Sequence, residues 1–306
     1  LSSPANAEDI DKVLVLMPNS AGAQSALVGL QEEVGEDLTL LTEYVTSDTS
    51  VEDMKSFFEK SSPSAVILMN NPTVTLYKKY QESLGADAKH PPALMMMASF
   101  LRQTSKGVIN GTGINYEIAA ITCFVSLRNI LNQPIRKVGV IYRDAFDDFI
   151  SEQKAMAAQE KIELVTRRIS TKNVKSSLKK TIKSLVNGDD VDALWILNDN
   201  VLLNKALLVK SWLPALKRNE KPVLVNVQSL VSPKFRFGSF AVLPDHTALG
   251  VQAANLLFEL QENDWQVGDK DLEEPVAVEK VLLVPFAKKH MELKENALDQ
   301  IDVQVE

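Results

Sequence analysis

Short apolar runs alternate with longer stretches in which apolar positions recur every three or four residues. That is the pattern of a parallel sheet whose strands are buried on both faces by helices. "VLVLMP", "LTLLTEYV", "SAVILMN" and "ALMMMAS" predict strands, and "AQSALVGLQEEV", "VEDMKSFFEKS" and "TVTLYKKYQESLG" predict the helices between them.

After "GVINGTGINYE" the alternation restarts. Helix "IAAITCFVSLRNIL", strand "KVGVIY", helix "FISEQKAMAAQE", strand "IELVTRRI", helix "VKSSLKKTIKSLV", strand "ALWIL", helix "LLNKALLVKSWLPALK" and strand "PVLVNV" follow in series. The remainder, "GSFAVLPDHTALGVQAANLLFELQEN", "VAVEKVLLV" and a short helical tail, is too small to bury a core of its own and must complete the two units already formed. The fold class expected is therefore α/β, with two doubly wound parallel-sheet lobes joined by crossovers. One lobe takes residues 1–110 plus about 244–268, the other 111–243 plus about 269–306. A cleft between two lobes so connected is a natural closing site for a small ligand.

Composition narrows the function. The 306 residues are 45% hydrophobic and 24% charged, which suits a folded chain of two domains. A net charge of −7 offers no footprint for a nucleic-acid partner, and the lysines of "KNVKSSLKKTIK" fall on a solvated helix face. No run approaches the roughly 18–20 apolar residues of a membrane span. Ala5-Asn6-Ala7 resembles the end of a secretory signal, pointing to an exported, periplasmic or extracellular protein for which a lipid anchor would be one mode of attachment. An alanine-rich triplet without any processing is the alternative.

Catalytic chemistry is missing. One cysteine, Cys123, and three scattered histidines supply no zinc spacing, so no metal site is expected. Gly111-Thr112-Gly113 lacks the third glycine of a dinucleotide fingerprint and reads as a turn. There is no phosphate loop, no Gly-x-Ser-x-Gly elbow and no His-Glu-x-x-His. His90, His246 and His290 read as surface or capping residues, and Asp147-Asp148 and Asp189-Asp190 as helix-start and turn acids. The expectation is a protein with no catalytic residues and no cofactor.

Binding residues follow from topology. Ligands of open parallel sheets lie outside the carboxyl ends of the strands. In the first lobe that rule selects Asn19, Ser20, Asn70, Asn71, Ser99 and Phe100; in the second it selects Tyr142, Arg143, Asp144, Asn198, Asp199, Asn200, Asn226, Gln228 and Ser229. Tyr116 and Asp245 stand near crossovers. Each is also a common turn or N-cap residue, so only their convergence argues for a site. A small zwitterionic or polar ligand would suit them. Helix N-terminal amides with Ser20, Ser99 or Asn71 would hold a carboxylate, Asp199 an ammonium, and Tyr116, Tyr142 or Phe100 an apolar part. Arg143 is the alternative carboxylate anchor.

"QPIRKVGVIYRD", with Pro134, Lys137, Val138, Gly139, Val140 and Tyr142, and "RFGSFAVLPDHTALGVQAANLL", with Gly238, Asp245, Leu249, Gly250, Gln252, Ala253 and Ala254, resemble the substrate-binding proteins of ABC transporters. "NGTGINY", with Asn110, Thr112 and Gly113, adds to the likeness. It is to the branch with a type I periplasmic-binding fold that includes aromatic amino-acid binders. The resemblance implies a monomeric receptor that closes its lobes on a small molecule, possessing neither cofactor nor metal, and delivers it to a membrane permease. A ligand sensor of the same fold that signals to a receptor or kinase is the alternative, separable by its gene neighbourhood. The chain departs from the family at "LLVPFAKK", where Val284 and Pro285 replace its usual asparagine, and at "MPNSAG", which leaves the ligand's identity open.

Overall fold

The computed structural model describes residues 10–85 and 88–306; the triplet Ala5-Asn6-Ala7 lies outside them. The first segment runs β1 (Lys12–Met17), α1 (Ala21–Val34), β2 (Thr39–Tyr44), α2 (Val51–Ser61), β3 (Ala65–Met69), α3 (Asn71–Leu84), β4 (Ala93–Met96), α4 (Leu101–Thr104) and β5 (Gly111–Gly113). The second runs α5 (Ala120–Ile130), β6 (Lys137–Arg143), α6 (Asp147–Gln159), β7 (Glu163–Ile169), α7 (Val174–Gly188), β8 (Ala193–Ile196), α8 (Lys205–Leu207), α9 (Leu213–Leu216), β9 (Val223–Val225) and β10 (Phe240–Pro244). There follow α10 (His246–Glu262), β11 (Val278–Leu283), α11 (Val284–His290) and β12 (Val303–Val305).

These elements form two compact units. The first comprises Leu1–Glu117 and Pro244–Ala277, the second Ile118–Leu243 and Val278–Glu306. The chain thus passes between units after Glu117, after Leu243 and after Ala277.

In the first unit five parallel strands are ordered β2-β1-β3-β4-β5. Val13, Val15 and Met17 of β1 face one side and pack with α1 and α10, whereas Leu14 and Leu16 face the other and pack with Met54 and Phe58 of α2 and Tyr77 of α3. Strands β1 after Lys12, β3 and β4 are apolar throughout because both of their faces are covered, whereas the edge strand β2 carries Thr39, Thr42 and Glu43. Gly111-Thr112-Gly113, expected as a turn, is instead the edge strand β5. A Cβ at Gly113 would stand 2.1 Å from the Met95 carbonyl oxygen, so glycine is what lets the strand approach. Strand β5 also carries the first unit beyond the boundary expected at residue 110. Likewise the stretch after residue 268 stays with it, tied by Thr112 Oγ1 donating to the Asp271 carbonyl and Asn115 Nδ2 to Glu274.

The seven-stranded sheet of the second unit has the order β12-β11-β10-β9-β8-β6-β7. Ile141, Leu194, Ile196 and Val225 pack under Leu178, Ile182 and Leu185 of α7, while Trp195 on the opposite face meets the Phe124 ring edge-on at 5.7 Å. Two details differ from the sequence pattern. The helix expected over "LLNKALLVKSWLPALK" is broken by a π-turn, Leu208–Trp212, ahead of Pro214, which has no N–H to continue the ladder. The tail adds an unexpected strand, β12, paired parallel to β11.

Candidate functional site

The five strands of the first sheet and β6 to β10 of the second run parallel, so within each set the carboxyl ends share one edge, and the order of each sheet reverses at a single place. That switch point lies between β1 and β3 in the first unit and between β6 and β8 in the second. Loops leaving two strands on either side of a switch point diverge to opposite faces and open a crevice.

At the first edge the loops are locally tied. Ser20 caps α1, its hydroxyl accepting the Ala23 N–H at 3.4 Å, and Asn70 caps α3, accepting from the Thr73 N–H and hydroxyl at 3.0 Å each. Asn71 crosses to the next loop: its amide donates to the Ser99 carbonyl at 2.7 Å and to Thr104 at 2.9 Å, and accepts the Ser99 N–H at 2.8 Å. The side chain expected to meet a carboxylate is therefore committed to holding a loop. Asn70, Met97 and Phe100 have φ of 79°, 56° and 52°, so three residues with side chains occupy left-handed backbone at this edge. Such conformations cost of order 1–3 kcal/mol and persist where the surroundings enforce them. Asn19 and Ser20 remain exposed.

Where the chain leaves the first unit, Tyr116 Oη lies 2.9 Å from His246 Nε2 with the rings stacked at 5.9 Å. Asp245 caps α10 by accepting the Ala248 N–H at 2.9 Å. Burial holds the His246 imidazole below its ordinary pKa, with the Asp245 charge opposing. Next to Tyr116, Glu117 accepts the Phe100 N–H at 2.8 Å, and burial pushes its carboxyl up to about 7 against that hydrogen bond. Neither His246 nor Glu117 was singled out by strand-end placement. Their partners are 130 and 17 residues away, and only the fold brings them together.

At the second edge Arg143, the last residue of β6, and Asp199, in the loop after β8, face each other across the switch point. Arg143 Nε donates to Asp199 Oδ2 at 2.6 Å and Nη2 to Oδ1 at 2.9 Å. Asp199 also accepts the Val201 N–H at 3.0 Å and is almost wholly buried. The carboxylate expected to receive a ligand's ammonium is thus closed on an internal cation. Two charges that could stand at this edge separately are a neutral pair, because a buried carboxylate is tolerated only when paired and hydrogen-bonded.

Tyr142, expected as a stacking face, is buried, and burial raises its phenol pKa first, the neighbouring Asp147 charge second. Asn226 Oδ1 accepts from Trp195 Nε1 at 3.3 Å. Asn200, Gln228 and Ser229 are exposed, while Asn198 is half-buried. Among the described residues no group of three His, Cys, Asp or Glu side chains could hold a metal ion. The buried Cys123 thiol is pushed up to about 12 by desolvation, which suppresses the reactive thiolate.

No protein-family model matches the chain, and no curated protein matches it. Solved structures do. A ligand-free, open substrate-binding protein with adhesive properties from Clostridium difficile superposes with a TM-score of 0.69 at 14% identity, covering 97% of this chain and 99% of the other. The chain has a type I periplasmic-binding fold.

Two further structures share that fold. A conserved domain protein from Vibrio cholerae matches with a TM-score of 0.62 at 17% identity over 96% of this chain and 99% of its own. An ABC domain from Streptococcus pneumonia in complex with L-Trp matches with a TM-score of 0.60 at 16% identity over 96% and 100%. The neighbours of this type I periplasmic-binding fold include ABC substrate-binding proteins. Among its described residues no helix is long and apolar enough to cross a membrane.

Proposed function

We propose that this protein is an extracytoplasmic solute-binding receptor of an ABC importer. It captures a small polar molecule, an amino acid or an aromatic amino-acid-like compound, by hinge closure of its two lobes and passes it to a membrane permease. The observation that carries this reading is that each unit presents amides, hydroxyls and charges at the carboxyl ends of its parallel strands, on the fold of ABC substrate-binding proteins. Hinge closure would turn on the three passages of the chain between the units, after residues 117, 243 and 277. Affinity then comes from contacts made better in one conformation than in the other, without covalent chemistry.

Asn19, Ser20, Asn70, Ser99, Phe100, Tyr116 and Asp245 of the first unit, and Arg143, Asn198, Asn200, Asn226 and Gln228 of the second, are the contacts we assign to the ligand. Asn71, Tyr142 and Asp199 support them from behind. A thermal-shift screen with amino acids, small carboxylates, nucleosides and sugars tests the reading. A ligand at a hundredfold excess over its dissociation constant stabilises by about 2.7 kcal/mol and raises the melting midpoint accordingly. No shift with any class, or turnover of the compound that binds, overturns it.

A further inference from the structure

Arginine offers five N–H groups in one plane. In Arg143 the Nε–H and one Nη2–H go to Asp199, and Nη1 donates to Thr171 Oγ1 at 3.3 Å. That leaves one hydrogen on each terminal nitrogen without a partner among the described residues. The side chain retains 13% exposure, against 2% for Asp199, so the cation and not the carboxylate is the member of the pair within reach of a ligand.

The guanidinium is also held in place before anything binds. Asp199 grips its inner side, the Phe146 ring lies 5.2 Å from Cζ, and Thr171, whose hydroxyl donates to Asp144 at 2.6 Å, turns its oxygen lone pair toward Nη1. A fork fixed on three sides loses little entropy on meeting a planar anion. The nearby carboxylates are bonded to other groups: Asp144 accepts from Thr171, and Asp147 from Arg168 at 2.8 Å. Their negative charge opposes an anionic ligand more strongly the more charges it carries, which favours a single carboxylate.

We propose that Arg143 is the specificity-determining residue of the second unit, and that it receives the carboxylate of a monoanionic ligand through the outer hydrogens of Nη1 and Nη2. Asp199 is a positioning residue that orients the guanidinium and makes no contact with a ligand's ammonium. This rests on the solute-receptor reading and narrows it: the ligand class is defined by a carboxylate, and an α-ammonium is dispensable at this edge.

The test compares matched probes on the full chain by titration calorimetry and thermal shift. They are L-phenylalanine, L-tryptophan and L-leucine, their deamino acids 3-phenylpropanoate, 3-(indol-3-yl)propanoate and 4-methylpentanoate, and the corresponding amino-acid amides, with inorganic phosphate, glucose and adenosine beside them. At least one acid of the set is expected to bind, its deamino form within a few-fold. The amide is expected to bind about 10- to 100-fold more weakly, the loss of a charge-assisted bidentate contact. Arg143→Lys, which keeps the positive charge against Asp199 but not the fork, is expected to lose a similar factor for the acids and much less for the amides.

An amide that binds as tightly as its acid, or an Arg143→Lys protein with undiminished affinity for the acid, overturns the assignment while leaving a receptor standing. Binding of glucose, adenosine or phosphate with no response to any acid does the same. Silence of every probe overturns the assignment and the receptor reading together. The comparison of acid and amide uses the unaltered protein, so it decides even if Arg143→Lys does not fold.

Discussion

Arg143 and Asp199 stand 56 positions apart in the chain and meet through two hydrogen bonds of 2.6 and 2.9 Å across the switch point of the second sheet. Breaking one side of a buried pair costs more than removing both, since the survivor is left charged and desolvated. Asp199→Ala is therefore expected to destabilise the protein by about 3–5 kcal/mol. The double change of Arg143→Met with Asp199→Leu should recover most of that loss. Urea denaturation of the unaltered protein, Asp199→Ala and the double variant tests both expectations, and a double variant no more stable than Asp199→Ala would show that the loss does not come from an uncompensated Arg143.

Helices α1 and α10 cross in the first unit at two glycines. A Cβ on Gly29 would stand 2.1 Å from the Thr247 carbonyl oxygen, and one on Gly250 would stand 2.0 Å from that of Ala26. Alanine usually stabilises a helix interior relative to glycine by about 1 kcal/mol. Here the sign reverses, because the intruded atoms are main chain and cannot rotate away. Gly250→Ala is expected to cost about 2–3 kcal/mol net, the price of overpacking less the gain in helix propensity. Gly188→Ala at the end of α7, whose Cβ would come no nearer than 4.0 Å to Ser184 Oγ, should be neutral or mildly stabilising. Equal melting midpoints for the two variants would refute the close crossing.

Asn71 is expected to matter for loop order. Through its amide it satisfies both the N–H and the carbonyl of Ser99. Asn71→Ala should cost about 1–3 kcal/mol, the usual penalty for leaving partly buried polar groups unpaired. Hydrogen exchange at the Ser99 amide should rise with it. Asn71→Asp keeps the acceptor for the Ser99 N–H but sets a charged oxygen against its carbonyl, so it should be no better than alanine. Unchanged exchange at Ser99 in both variants would mean that the loop is held by other contacts.

What the amino-acid pattern made legible was whatever a local period encodes. The inner strands such as β1, β3, β4 and β8 appear as apolar runs because helices bury both of their faces, as Val13 and Leu14 show on opposite sides of β1. Strands β5 and β12 lack the apolar run that made the equally short β9 legible, being Gly-Thr-Gly and Val-Gln-Val, and β5 is held by main-chain proximity at Gly113. Candidate residues were legible only as positions, since the pattern of strands is enough to put Arg143, Asp199 and Asn71 at or just beyond a strand's carboxyl end. Their partners were not legible. Whether Asp199 faces a ligand or Arg143, or Tyr116 faces solvent or His246, is decided by tertiary distance across 56 and 130 residues, on which composition and spacing are silent.

Glu117 should make the stability of the protein fall as pH rises toward neutrality. Its carboxyl titrates near 7 in the folded chain, from an ordinary value of 4.5, principally because burial disfavours the charged form and secondarily through the charge of Glu274. Below pH 4.5 both folded and unfolded chains hold the proton, and its contribution is fully present. Between 4.5 and 7 the folded chain retains a proton that the unfolded chain releases, so stability declines across that interval and levels off above it. The decline amounts to at most about 3 kcal/mol, at 1.36 kcal/mol per pH unit. Glu117→Gln keeps an acceptor for the Phe100 N–H and has nothing to ionise, so its stability at pH 8 should exceed that of the unaltered protein by about 1–3 kcal/mol, and at pH 4.5 the two should agree. His246, whose imidazole is held neutral by burial, contributes in the opposite sense as pH falls through its titration, but equally in both proteins. The difference between the two denaturation curves at pH 5, 6, 7 and 8 therefore isolates the carboxyl, and a difference that stays constant over that range would contradict the assignment.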